Sequence, residues 1–510
     1  MIMKAQILRR KQAIRKVIKR KPTANNVKAL DKSLPFSQLV MTCVTEFFRD
    51  SEQNRYCIFT SQYEPKMLLD INSSDFDEAL TRLHYKIYGS FVKKAEKSAI
   101  IEGINALAAN ATVKSVGTRL LQLPDKLVYN LGEGKVVVVT SEDVSIHDNV
   151  DCDYYFVSQA DMPIQTTPDL SCDEAELIPL LKELFVVSDD DCLLLAVYIC
   201  TLFVKDIHHP ILTAYGDIGA GKTTALKTIA KIIDPSNREL LYLNQTSPKD
   251  FQTALTKNYF TVFDNVTGSH SDSIMNMLCQ VVTGGTLSMR KLFTTNDEVK
   301  VSLQRCLAMS GTDVIGKRND LLERSLLIKF NRLPADKRIN DSSYEQKFVK
   351  LRPKILGAIF KVLSNALALH ARDSFELSLD SRMLEWAQWG YCIAESLETG
   401  LGKDFCDSYQ RNLKSSNTVS ISENPYISSI VDFICENGSW IGSSTEFFDE
   451  IRSYASEKGY DVRNKCFPTC VTQVWQKMKL YKPNLKELGI SIYEPVNTGR
   501  YRELKIIKNS

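Results

Sequence analysis

The chain reads as an α/β protein: a parallel-sheet core, an α+β segment ahead of it and a small helix-and-hairpin segment behind it. Three observations predict this. Residues 208–335 alternate helices with short strands that are apolar on both faces, the pattern of a parallel sheet covered on both sides. One of those strands, 211–215, runs directly into a glycine loop and then a helix at 222–233. Residues 425–510 read as three helices followed by two strands.

The glycine loop is the most specific feature. Gly216, Asp217, Ile218, Gly219, Ala220, Gly221, Lys222, Thr223 and Thr224 have the form G-x-x-x-x-G-K-T between a strand and a helix. Glycines let the backbone curl so that successive N–H groups converge on phosphate oxygens. Lys222 is placed to reach the outer phosphates, Thr223 offers a hydroxyl to Mg²⁺, and the helix adds its positive N-terminal end. ATP and Mg²⁺ are the expected ligands.

A triphosphate site needs an acid on a neighbouring strand. Residues 259–263, Tyr-Phe-Thr-Val-Phe, form a buried-strand pattern ending at Asp264, which is expected beside the loop at the C-terminal ends of the strands and associated with the metal. Asn265 follows; it cannot act as a general base, so it orients the attacking water or the base lies elsewhere. Strand 303–309 leads to Ser310, a candidate sensor of the outermost phosphate. The stretch Asp320-Leu321-Leu322-Glu323-Arg324-Ser325 precedes strand 325–330, and Arg324 there suits an arginine finger given to a neighbouring subunit. Arg305 and Arg318 are lesser candidates for the same network.

Residues 284–302 form a hairpin inserted before the strand that leads to Ser310. In a ring-shaped ATPase this position faces the central pore. Arg290 and Lys291 are then candidates for phosphate contacts, with Leu292 and Phe293 reaching sugar or base, a sequence-independent grip on single-stranded DNA. An exposed hairpin with ordinary surface cations is the alternative.

Around this core, residues 1–33 form a basic arm. Its first 21 residues hold nine Lys/Arg and no acid, which suits contact with a polyanion. Residues 34–170 read as an α+β domain, with helical periodicity at 76–110 and strands at 118–123, 126–131, 136–140 and 154–157. The ATPase core is set at 171–340, led by helical residues 173–207 in which Asp189–Asp191 are expected to cap a helix at 192–204. Residues 341–420 form a helical lid or linker, ending in a Ser/Asn-rich break at 416–424.

The last part, 421–510, changes charge midway: residues 425–461 balance at −5 and 462–510 at +7. Its basic half holds a helix at 467–480 with Lys477 and Lys479, then a hairpin turning at Arg500. This is a winged-helix pattern able to enter a DNA groove, or to serve a protein contact.

With 510 residues, 44% hydrophobic and 25% charged, the composition is that of an ordinary soluble multidomain protein. No apolar run of the ~20 residues a membrane span requires stands out. The charged N-terminus carries no secretory leader pattern. The thirteen scattered cysteines include no C-x-x-C pair, and Cys466 and Cys470 lack nearby histidines. Free thiols in the cytoplasm are expected, with no membrane partner.

Taken together, Gly-Asp-Ile-Gly-Ala-Gly-Lys-Thr-Thr, Phe-Asp-Asn-Val, Arg-Lys-Leu-Phe-Thr-Thr-Asn-Asp-Glu-Val, Leu-Gln-Arg, Arg-Asn-Asp-Leu-Leu-Glu-Arg-Ser-Leu and Leu-Arg-Pro-Lys-Ile-Leu-Gly-Ala resemble a family of P-loop ATPases of bacteriophages, satellite phages and integrative elements. In order and spacing they also look like the MCM-like, self-loading replicative helicases of staphylococcal mobile elements. The resemblance spans about residues 76–510 and is strongest over 208–400. It implies an AAA+ core in a homo-hexameric DNA helicase that translocates on single-stranded DNA during replication, with single-stranded or forked DNA as its partner and primase or other replication proteins as further partners. It puts Lys291 at the DNA-contacting lysine of a pore hairpin, Arg324 at the arginine finger and Arg352 near a sensor-2 arginine preceding a helix-start proline. Ser310 departs from the family's usual asparagine, whereas Asn265 is shared with it. Two rival readings remain: an AAA+ ATPase that uses DNA without unwinding it, and an origin-binding replication initiator.

Overall fold

The computed structural model describes most of residues 33–509; outside it lie 1–32, 150–153, 158–162, 237–239, 243–249, 252–254, 256–257, 267–271, 291–297, 303–304, 313–318, 333–339, 373–376, 378, 380, 423 and 510. Two compact units emerge, one of residues up to 121 with 153–162, the other of 122–152 with 163–510. The division falls inside the expected 34–170 domain, and residues 122–152 go with the second unit.

The first unit contains elements that sequence periodicity did not mark. Helix Phe36–Cys43 leads into strands Val44–Arg49, Arg55–Ser61 and Glu64–Asp70, in a sheet completed by the short strand Thr112–Val113. Helix Ser74–Tyr88 begins at Ser73, whose hydroxyl accepts from the Phe76 N–H, and ends at Gly89 in the left-handed region. Its inward residues Phe76, Leu80, Leu83 and Ile87 recur at helical spacing and join Leu39, Phe59, Leu69, Ile100 and Ile104 in one core.

In the second unit, strands Lys126–Gly132, Lys135–Thr140 and Val144–Asp148 form an antiparallel meander. The central sheet is parallel, in the order Phe260–Phe263, Cys306–Ser310, Ile211–Tyr215, Ser325–Lys329. Leu241 bridges Phe263 in parallel on the outer side. All four strands are almost wholly buried, which is why they read as unbroken apolar runs. Helix Asp189–Thr201 is capped by the Ser188 hydroxyl; Asp189–Asp191 fill its first turn, where the helix dipole favours them, instead of lying ahead of the helix.

Three helices follow: Asp341–Arg372, Leu384–Leu397 and Leu401–Ser422. The last runs through most of the Ser/Asn-rich stretch expected to break it, because Ser416 and Ser420 are buried and Ser416 bonds back to the Asn412 carbonyl. Helix Asp341–Arg372 is long and apolar enough, by length and composition, to cross a membrane. Ile355, Leu356, Ile359, Phe360 and Leu363 are nevertheless buried inside this unit, as in a core helix.

Asn412 links these helices to the sheet. Its amide donates to the Leu327 carbonyl at 2.6 Å and accepts from the Leu327 N–H at 3.1 Å, completing the outer edge of strand Ser325–Lys329. Asn412→Ala leaves both backbone groups buried and unpaired, and is expected to cost about 3 kcal/mol, read as a lower urea midpoint for the core. A midpoint equal to that of Ser416→Ala would show that the pairing adds little.

The C-terminal part has strand order Trp440–Ser443, Arg502–Lys508, Ile490–Asn497, antiparallel throughout. Helices Pro425–Asn437, Ser444–Glu457 and Val471–Met478 pack on it through Tyr426, Ile430, Phe447, Ile451, Val474 and Met478. The third helix is shorter than the expected 467–480: it gives way to a 3₁₀ turn at Lys479–Tyr481 and then to helix Lys482–Glu487.

Candidate active site

The parallel strands end in register, with Ala214 beside Ser310, Phe263 beside Met309 and Tyr215 beside Lys329. Residues just beyond each end therefore converge: the glycine loop, Asp264, Ser310 and Phe330. Such a crevice, at the carboxyl ends of strands whose chain order reverses, is the usual ligand position in open α/β sheets.

The loop is built on positive-φ glycines: Gly216 at 136°, Gly219 at 80° and Gly221 at 76°. At Gly216 space matters too, since a Cβ there would lie 2.3 Å from the Phe330 carbonyl oxygen. Gly216→Ala is expected to destabilise the core by about 3 kcal/mol and to abolish nucleotide uptake. Calorimetric titration with MgATP, alongside thermal unfolding, checks both. Gly221 opens helix Lys222–Ile233 without a side-chain cap, so the first N–H groups stay available to an anion.

Lys222 Nζ donates to the carbonyls of Gly216 and Asp217 at 2.7 and 2.8 Å, which holds the ammonium inside the loop; partial burial lowers its pKa, while Asp217 and Asp264 oppose that shift. Thr223 Oγ1 donates to Asp264 Oδ1 at 2.8 Å, and the Ser310 hydroxyl donates to the same carboxylate oxygen. Asp264 is buried, and its backbone N–H is fixed to the Leu241 carbonyl at 2.8 Å. A hydroxyl and a carboxylate meeting at the mouth of a phosphate-sized loop are hard oxygen donors of the kind Mg²⁺ takes. Thr223 and Asp264 are thus the residues that would hold it, and they fit.

Ser310 stands against Asp264, and the Asn265 N–H donates to its hydroxyl at 3.2 Å. Asn265 is exposed and has φ 51°, in the left-handed region where asparagine is favoured among non-glycine residues. The backbone bend after Asp264 therefore supplies a physical reason for asparagine at this position.

Arg324 lies elsewhere. It directly precedes strand Ser325–Lys329, whose first residue pairs with Ile211, at the end of the sheet away from the loop. Four to five strand residues, about 15 Å, separate it from its own phosphate loop. Its Nη1 donates to the Asp320 carbonyl at 2.5 Å, and its buried Nε has no hydrogen-bond partner among the described residues. Arg305 is bound to the Leu255 carbonyl at 3.0 Å, and Arg318 lies outside the described residues.

Arg352 departs from its expected place near the phosphates. Pro353 lies inside helix Asp341–Arg372 and does not start one. Arg352 Nη2 donates to the Lys231 carbonyl at 2.6 Å, at the C-terminal end of the helix that leaves the glycine loop. Gln165 bonds the Ile232 carbonyl there at 2.9 Å, and Tyr129 the Ile233 carbonyl at 2.9 Å. Together they satisfy three orphan carbonyls, and the cation suits the negative end of the dipole. No local pattern marks these residues, since their partners are 67 to 121 positions away.

Strands Thr286–Arg290 and Glu298–Ser302 pair antiparallel as the expected hairpin, with Arg290 opposite Glu298. Lys291, Leu292 and Phe293 lie outside the described residues. In the C-terminal part, Lys479 and Arg500 are exposed, Arg500 at the hairpin turn. Lys477 donates to the carbonyls of Lys465 and Phe467 at 2.6 and 2.8 Å, so its ammonium is committed within its own domain.

Residues 177–417 match the family model of the actinomycete integrative conjugative element replication protein, and 427–510 match that of its C-terminal domain. Both point to one family and support a role in replication of an integrative element. No curated protein matches the chain. Among solved structures, an apo form of the NrS-1 C-terminal region is similar at 12% identity, covering 95% of this chain and 100% of that one, with a TM-score of 0.39. A JCV helicase aligns at 14% identity over 45% of this chain and 66% of that one, with a TM-score of 0.26. At those scores neither neighbour carries weight for function.

Proposed function

We propose that this replication protein is an ATP-dependent, ring-forming AAA+ helicase that moves along single-stranded DNA during copying of a mobile element. One observation carries the reading: Thr223 and Ser310 converge on Asp264 beside the positive-φ loop that holds Lys222. This arrangement suits a magnesium-bound nucleoside triphosphate. Loop N–H groups and Lys222 bind the phosphates, and Asp264 and Thr223 would hold the metal, which would supply charge neutralisation. Asn265 and Ser310 position the attacking water and report on the terminal phosphate.

Arg324, too far from its own loop, serves the site of the next subunit, and this makes a closed ring of like subunits, a homo-hexamer, the natural assembly. The hairpin at 284–302 bears Arg290 and Lys291 toward DNA, and the C-terminal part acts as a winged helix with Lys479 and Arg500 outward.

The test is ATP-dependent displacement of a tailed duplex. Lys291→Ala is expected to keep most ATP hydrolysis while losing strand separation. Full unwinding by that variant removes the hairpin from the mechanism; hydrolysis without unwinding by the wild type favours a DNA-dependent ATPase that does not separate strands.

A further inference from the structure

We propose that the turn between helices Ser74–Tyr88 and Lys94–Ala108 is a stacking platform for single-stranded nucleic acid, a second contact remote in sequence from the hairpin. It takes the identity of the polymer from the reading above and is independent of ATP hydrolysis.

Helix Ser74–Tyr88 buries Leu83 and Ile87, so Tyr85 faces outward and is 50% exposed. Phe91, in the turn, is 73% exposed. The two rings stack on each other with centroids 5.3 Å apart and planes 22° apart. A phenylalanine this open forgoes the burial its ring would ordinarily gain, so the pair marks a contact surface.

The turn is held from beneath. A His84 ring nitrogen meets the Ser90 carbonyl at 2.6 Å, and that ring packs edge-on against the buried Phe36 at 4.8 Å. Tyr88 donates to the Leu34 carbonyl at 3.0 Å. The aromatic pair is therefore presented on an ordered support.

Charge chooses the occupant. Between Glu78 and Glu96 the sequence holds Arg82, Lys86, Lys93 and Lys94 and no acid. Arg82 is paired with Glu64 and Glu78. Lys86, Lys93 and Lys94 are exposed, and none forms an ion pair among the described residues. Flat aromatic faces with unneutralised cations next to them in the sequence match bases and phosphates of a single strand, which every base can satisfy without sequence preference. In the sequence, the acid-free block at 1–21 lies N-terminal to this turn.

The test uses the full chain without nucleotide. An oligo-dT carrying 5-iododeoxyuridine is irradiated with the protein, and the adducts are mapped by mass spectrometry. A peptide containing Tyr85 or Phe91 is expected to carry the oligonucleotide. Tyr85→Ala combined with Phe91→Ala is expected to weaken dT binding about tenfold, with Phe91→Trp retaining it. Lys93→Gln with Lys94→Gln should flatten the salt dependence by about one unit of slope.

Adducts confined to other segments, together with unchanged affinity in the double variant, overturn the proposal. So does a change of oligomeric mass in that variant at unchanged DNA affinity, which would make the patch a contact between copies. Failure of ATP hydrolysis would leave the cross-link in place, so the two readings fail separately.

Discussion

Arg324→Ala is expected to lower ATP turnover about 10³-fold while leaving MgATP affinity near that of the wild type. Fingers of this type are worth 10³ or more in turnover because they add positive charge only where it develops in the transition state. The placement of Arg324 underlies the prediction. It directly precedes the strand whose far end, Lys329, pairs with Tyr215 at the mouth of the glycine loop. A residue at the opposite end of the sheet cannot reach its own phosphates, so its loss should be felt by a neighbour.

Mixing gives the decisive measurement. Arg324→Ala subunits keep an intact loop, and Lys222→Ala subunits keep an intact finger. Co-assembled, they should recover a measurable fraction of wild-type hydrolysis where one supplies the loop and the other the finger. Mixtures as inactive as either parent, in rings shown to contain both, would refute action between subunits.

Lys222→Ala is expected to bring hydrolysis to the detection limit and to lower MgATP affinity by at least tenfold. Its ammonium sits in the loop on the carbonyls of Gly216 and Asp217, partly shielded from water, where an ionic contact to phosphate is stronger than at the surface. The substitution removes no core packing, so the unfolding transition should stay within about 0.5 kcal/mol of the wild type. Hydrolysis measured on purified protein, with circular dichroism as the control for folding, decides it. A variant that hydrolyses ATP at the wild-type rate would dissolve the nucleotide site altogether.

The chemistry of the loop was readable because it depends on local rules. Glycines at 216, 219 and 221, a lysine and a threonine at fixed spacing, and an apolar strand on one side with a helix on the other need no distant partner to be recognised. The acid ending the Phe260–Phe263 strand was readable for a similar reason: buried parallel strands are apolar throughout, and a carboxylate at such an end stands out.

The N-terminal unit was much less legible. Its strands at 44–70 mix exposed and buried residues irregularly and carry bulges, at Val44/Glu46 and Phe59/Ser61, that break the two-residue period. The junctions of the C-terminal helices were also misplaced. Ser416 and Ser420 look like loop residues in composition, but buried contacts keep them helical.

Sequence alone determined the glycine loop with Lys222 and Thr223, the alternating strands and helices around it and the reversal of charge near the C-terminus, because each is written in neighbouring residues. Tertiary structure decided the rest. It carried Arg352 to the far end of the helix behind the loop, clasped the edge strand with Asn412, tied Lys477 to carbonyls of its own domain and left Phe91 open beside Tyr85. Those outcomes depend on which distant backbone groups need partners and which faces remain uncovered once the chain has packed, and no short window of residues contains that information.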